Sequence, residues 1–132
     1  MAPAKSVVIT GASSGIGAAC ALHLDQAGWR VFAGERKQGD AEALRAQGSA
    51  RLTPISLDVT DTVSISTAAS AVAGAVGAAG LAGLLNNAGI VVPGPIELLP
   101  LPDLRRQLEI NVVGQVAVTQ AFLPLIDRKS VV

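Results

Sequence analysis

The chain has no tyrosine, one tryptophan, two phenylalanines and one cysteine among its 132 residues. Aromatics make up 2% and hydrophobic residues 50%. A core must therefore come from Ala, Val, Leu and Ile, which suit close packing of helices on a sheet. A lone cysteine, Cys20, excludes an intramolecular disulfide, so a stapled secreted scaffold is out and a cytoplasmic chain is the expectation. Cys20 itself reads as a small buried residue. Charge is scarce and balanced: ten basic residues face ten acidic ones, with no basic run. That leaves no electrostatic footprint for nucleic acid or an anionic membrane.

Low-complexity tails, linkers and solenoid repeats are also missing, and the length suits one domain with a sizeable core. The opening MAPAKSVVIT has too short an apolar run before Gly11 for a signal segment. Ala68 to Leu85 carries no charge over 18 residues, close to the length of a spanning helix. Ala and Gly supply most of it and contribute little transfer free energy. A helix, a turn and a buried strand is the better reading, and no membrane span is expected.

What is present alternates. Ser6 to Thr10 is a short β-branched run that breaks at Gly11, and Gly15 to Ala27 reads as a helix closed by Gly28. Arg30 to Gly34 reads as a second strand, Asp40 to Gln47 as a helix, and Arg51 to Leu57 as a third strand ending at Asp58. Asp61 is placed to cap a helix running to about Ala79. Leu81 to Leu85 follows as a fourth strand, entering Asn86-Asn87-Ala88-Gly89. After a loop with prolines at 93, 95, 100 and 102, Asp103 to about Ile126 reads as one long helix with Leu104, Leu108, Val112 and Val116 on one stripe. Strands alternating with crossover helices imply a parallel sheet covered on both faces.

The strongest chemical signal is Thr10-Gly11-Ala12-Ser13-Ser14-Gly15-Ile16-Gly17, between a strand and a helix. Gly11 permits a tight turn, Gly15 a close approach of backbone to a pyrophosphate, and Gly17 close packing of helix on sheet. The free N–H groups and dipole of the helix start favour an anion. Without G-K-[ST], a nucleoside-triphosphate loop is excluded; a glycine turn with no ligand is the plainer alternative. Glu35 follows Gly17 by 18 residues, close to the ~20 expected of an acid that binds an adenosine ribose. Arg36 follows directly, and a guanidinium could grip a 2′-phosphate or lie on adenine. The two residues point to different cofactors, and an ordinary solvated charge pair is the plainer reading of both.

Four motifs in order resemble the short-chain dehydrogenase/reductase family: T-G-x-x-x-G-x-G at Thr10 to Gly17, Asp58-Val59, N-N-A-G at Asn86 to Gly89, and a helix asparagine at Asn111. The resemblance spans the whole chain. It implies a Rossmann-like, doubly wound α/β domain over residues 1–132, truncated after the fourth crossover helix and the start of a fifth strand at Ser130 to Val132. It implies NAD or NADP as cofactor, a small alcohol or carbonyl as substrate of the full-length parent, and a homo-oligomeric parent. It assigns Asp58 to the adenine amino group with the Val59 backbone nearby, and Asn86, Ala88 and Gly89 to the adenosine ribose. Asn111, by the same resemblance, holds a water in a proton relay; on residue type alone, a helix Asn satisfying local backbone would be preferred.

The family's acid/base group is a Tyr-x-x-x-Lys, with a Ser before it, and neither is found here. Lysines stand only at 5, 37 and 129, outside any such motif, and His23 reads as a surface or packing histidine. The expectation is a cofactor-binding portion of an oxidoreductase, inactive as given. The alternatives are a non-catalytic dinucleotide-binding module or an unstable remnant acting through its apolar surface. By the same resemblance, Ser14 stands before Gly15 where NADP-preferring relatives often place a basic residue, and with the carboxylate of Glu35 this favours NAD over NADP.

Overall fold

Four short parallel strands carry the buried apolar runs: β1 (Ser6–Ile9), β2 (Arg30–Glu35), β3 (Leu52–Ser56) and β4 (Gly83–Leu85), in a computed structural model that describes residues 3–126. Their order is β3-β2-β1-β4, with Val8 level with Phe32 on one side and Leu84 on the other. Pro54 lies within β3, which a central strand would not tolerate because proline has no N–H to give the ladder. β3 is the edge, pairing with β2.

Alternation along the strands fills two cores, because successive side chains point to opposite faces. Val7, Ile9, Val31 and Ala33 face one side and pack with Ala21 of α1 (Gly15–Gln26) and Leu44 of α2 (Gln38–Gln47). Val8 and Phe32 face the other and meet Ile65, Ala68 and Val72 of α3 (Thr62–Val76). Val118 and Phe122 of α5 (Gly114–Phe122) complete that core. Both phenylalanines of the chain are buried there, whereas Trp29 packs, partly buried, against the other core. Cys20 is partly buried against the α1 side, and His23 is exposed near the end of α1.

Asp25, buried at the end of α1, accepts from the Ser49 backbone N–H at 2.8 Å and from Ser49 Oγ at 2.5 Å, with Arg51 Nε at 3.7 Å. Burial pushes its carboxyl upward, but the two Ser49 hydrogen bonds and the Arg51 charge outweigh that and hold it below the usual range. This network ties α1 to the loop that leads into β3.

The elements expected within residues 3–126 are all found, with local differences. α2 begins two residues earlier than expected, β2 extends to Glu35, and the helix after Asp61 tightens to a 3₁₀ turn at Gly77–Ala79. The expected single helix from Asp103 is a composite: α4 (Leu101–Leu108), a π turn over Glu109–Val113, then α5 and a 3₁₀ turn at Leu123–Leu125. Its buried face is Ile110, Gly114, Val118 and Phe122, spaced four apart, while Leu108, Val112 and Val116 stand exposed. Leu81, expected in β4, instead bridges in parallel to Ile126 outside it, with its N–H donating to Leu125 O at 2.7 Å. Extended chain thus begins on the outer side of β4, and the Ser130 to Val132 strand lies outside the described residues. Thr62–Ala79 and Leu101–Leu125 are each long and apolar enough to cross a membrane; here both pack on the same side of the sheet.

Candidate functional site

The strand order reverses direction between β1 and β4: the chain winds outward from β1 to β3, then crosses to β4. In open α/β sheets a crevice opens at the carboxyl ends of the strands flanking such a point. Here it is a cleft of about 320 Å³, walled by the β1–α1 turn, the ends of β2 and β3, and the segment after β4.

The turn is locked from below. Buried Thr10 accepts through Oγ1 from the N–H groups of Asn87 (3.0 Å) and Ala88 (2.9 Å). Asn87 Nδ2 donates back to Thr10 O (3.2 Å) and Gly11 O (3.0 Å). Gly11 sits at φ +61°, and a Cβ there would lie 2.8 Å from Ala88 Cα. A Cβ on Gly17 would overlap Gly11 O and Asn87 Nδ2. Only glycine fits either place. Ser14 caps α1 with extended backbone and no side-chain cap bond, and the first turn holds no acid. Ile16 stands 76% exposed at the rim, and Gly15, at φ +56°, faces open space.

At the far end lie Glu35, Arg36 and Asp58. Glu35 is only 3% exposed, and both carboxyl oxygens are buried without a hydrogen-bond partner. Burial, and secondarily the charge of Asp40, pushes its carboxyl above the usual range. Arg36 is exposed beside it. Asp58 Oδ1 accepts from Thr60 Oγ1 (2.7 Å) and Thr60 N–H (2.9 Å). These bonds, helped by the Arg36 charge and opposed by partial burial, hold Asp58 below the usual range. A neighbouring hollow of about 500 Å³ shares Glu35 and Arg36 and runs along Lys37 and Arg45.

The segment after β4 differs from expectation at one residue. Asn86 does not line the cleft; its Nδ2 donates to Thr119 Oγ1 at 2.9 Å on the helix side. Extended chain alternates sides, so Asn87, which had no assigned role, takes the turn. Asn111 lies in the π turn, with Oδ1 accepting from Ile90 N–H (2.9 Å) and Nδ2 donating to Ile90 O (2.7 Å). A water would find only the second lone pair and second N–H of that amide. Asn111 lines a separate shallow hollow of about 380 Å³ with Ala88, Gly89 and Gln115. Gly11, Ser13, Ser14, Ile16, Glu35, Arg36, Asp58, Val59, Ala88 and Gly89 are thus gathered around one cleft. Gly15 and Gly17 shape the turn from outside its lining. Thr10 and Asn87 stand inside the two motifs without a role of their own in the sequence reading, and Thr60 was not singled out. Its only signal is a hydroxyl two residues after Asp58.

A sequence profile of the family described as short chain dehydrogenase matches residues 5–131. Retinol dehydrogenase 16 of Homo sapiens is 46% identical over 125 residues, which cover 94% of this chain and 39% of that protein. Estradiol 17-beta-dehydrogenase 2 of Mus musculus is 43% identical over 129 residues, 96% of this chain and 34% of that one. The chain therefore spans between a third and two fifths of the length of these relatives. Among solved structures, the NADPH-bound carbonyl reductase from chicken fatty liver is similar at a TM-score of 0.84 and 34% identity, covering 94% of this chain and 52% of that one. The 3-ketoacyl-(acyl-carrier-protein) reductase of Brucella melitensis, complexed with NADH, is similar at 0.84 and 27%, covering 92% and 50%.

Proposed function

Because the chain belongs to the short-chain dehydrogenase family, we propose that its cleft binds a nicotinamide dinucleotide and that the whole protein is an oxidoreductase acting on an alcohol or carbonyl. The observation that carries this reading is the glycine turn, pinned by Thr10 and Asn87 across the reversal point with the uncapped start of α1 facing outward. Its backbone N–H groups and helix dipole suit a pyrophosphate. Asp58, held ionised by Thr60, has one oxygen engaged and the other available to an adenine amino group. Ala88 and Gly89 form the opposite wall.

NAD is the better fit. Two buried carboxyl oxygens with no donor are costly in a native structure, and Glu35, a residue of the cleft lining, holds both of them that way. Turned toward the cleft, the carboxylate would find its missing donors in the ribose hydroxyls. A 2′-phosphate would supply none and would repel the ionised acid, leaving Arg36 as its main support.

The bound nicotinamide would exchange hydride with the substrate carbon. This chain, which holds no Tyr, lacks the acid/base group that would move the accompanying proton, so binding without turnover is proposed for it. Titrating the 132-residue chain with NADH and NADPH, read by Trp29 fluorescence, tests the first part. Saturable binding with NADH the tighter is expected, and no binding of either refutes the reading. Following NADH absorbance with ketones tests the second: steady turnover by the pure chain would show that another group supplies the proton.

A further inference from the structure

The segment from Asn86 to Val92 follows β4 and belongs to no strand or helix. Its polar groups need partners, and the helix alongside provides them at a regular interval. Gln107 Oε1 accepts from Val92 N–H at 3.1 Å. Asn111 bonds both backbone groups of Ile90, and Gln115 Nε2 donates to Ala88 O. Thr119 Oγ1 accepts from Asn86 Nδ2 and donates to Gln115 O at 2.7 Å. Every fourth helix residue meets every second residue of the segment, in antiparallel sense.

The spacing has a physical basis. Four helical residues rise ~6.0 Å, and two extended residues span ~6.6 Å. Four residues at ~100° each overshoot a full turn by ~40°, which over three intervals would carry the last rung away from the segment. The π turn at Glu109–Val113 is wider and rotates less per residue, so it takes back part of that drift in the middle of the ladder.

We infer that Gln107, Gln115 and Thr119 are positioning residues: with Asn111 they hold the backbone of 86–92 so that Ala88 and Gly89 form a fixed wall of the cofactor cleft. Gln115 grips the carbonyl of Ala88, a cleft residue, and Thr119 fixes the Asn86 side chain while its hydroxyl secures the helix turn below Gln115. The inference rests on the cofactor reading above for its effect on binding, whereas the ladder itself can be read without any cofactor.

The test uses the whole 132-residue chain with NADH as probe. Gln115→Met should weaken NADH binding roughly three- to tenfold, as expected for one lost hydrogen bond, and Thr119→Val, which loses two, by at least as much, while Thr119→Ser binds like the parent. Val118→Ala, a core truncation one residue away, should lower the melting temperature yet leave NADH affinity unchanged. Without cofactor, the Ile90 and Val92 amides should exchange slowly although they lie in no strand, and Gln107→Ala should speed Val92 by a similar factor. Fast exchange at Ile90 and Val92 in the parent overturns the ladder. So does a result in which Gln115→Met and Thr119→Val bind as the parent does, or in which Val118→Ala weakens binding equally. If the parent shows slow exchange but binds no NADH, the cofactor reading fails, and the positioning role fails with it.

Discussion

Glu35→Gln should stabilise this chain at neutral pH. Both Glu35 oxygens are buried and unpartnered, and burial followed by the Asp40 charge raises the folded-state carboxyl above its ordinary value. In the unfolded chain Glu35 ionises at its usual ~4.3. Below that pH the group is neutral in both states and adds no penalty. As pH rises past it the unfolded chain gives up its proton first, so the fold loses stability, and the penalty is complete once the folded group has also ionised. Glutamine keeps the shape and remains a buried polar group, so it removes only the extra cost of the ionised form. An unpaired buried charge costs more than an unpaired neutral amide by about 1–2 kcal/mol, which for a domain of this size corresponds to roughly 3–8 °C in melting temperature. Thermal melts followed by circular dichroism should show the variant ahead by that margin at pH 7.5 and level with the parent at pH 4. A variant that melts below the parent at pH 7.5, or ahead by the same amount at both pH values, would refute the view that Glu35 is a buried, unsatisfied acid. The same substitution should also weaken NADH binding, because the ribose would lose a charged acceptor.

Asp25 has the opposite sign: its lowered carboxyl contributes stability above the ordinary aspartate range that is lost as pH falls through the folded value. Asp25→Ala should therefore cost about 1.5–3 kcal/mol at pH 7 and progressively less in acid, measured by urea titration at several pH values. Gly17→Ala should drive the turn off Asn87, costing about 1–3 kcal/mol by overpacking and reducing NADH affinity by more than the ladder variants do. Leu108, Val112, Val116 and Leu123 are exposed together on one helical run, an apolar surface of the kind that seeks a partner. Light scattering at tens of micromolar, a range chosen for association-prone chains, should show self-association that Val112→Glu with Val116→Glu reduces; a stable monomer in the parent would contradict this.

The order of elements was legible because each carries its own local cue. β-branched runs stop at turns, and Asp61 caps α3 with its carboxylate accepting from Val63 and Ser64 N–H groups, as its position suggested. The glycine turn was legible for the same reason, since a backbone that must come close to its neighbours admits no side chain. What escaped depends on contacts made across the fold. The π turn has no local signature; it coincides with Asn111 bonding Ile90 and with Gly114 lying against Val59 O. The burial of Glu35 was hidden because a charge at a strand end ordinarily reads as solvated. Asn86 and Asn87 are identical in type, and only the pleat of the chain decides which faces the turn and which faces Thr119.

The central claim is that the turn of Thr10 to Gly17 and the ends of β2, β3 and β4 form one dinucleotide site. Backbone amide spectra of the isotope-labelled chain, recorded as NAD⁺ is added, test it most directly. The account predicts shifts concentrated at Gly11, Ser13 to Gly17, Arg36, Asp58 to Thr60 and Ala88 to Gly89, saturating together. Shifts confined to the hollow along Lys37 to Arg45, or a spectrum that NAD⁺ leaves unchanged, would contradict it.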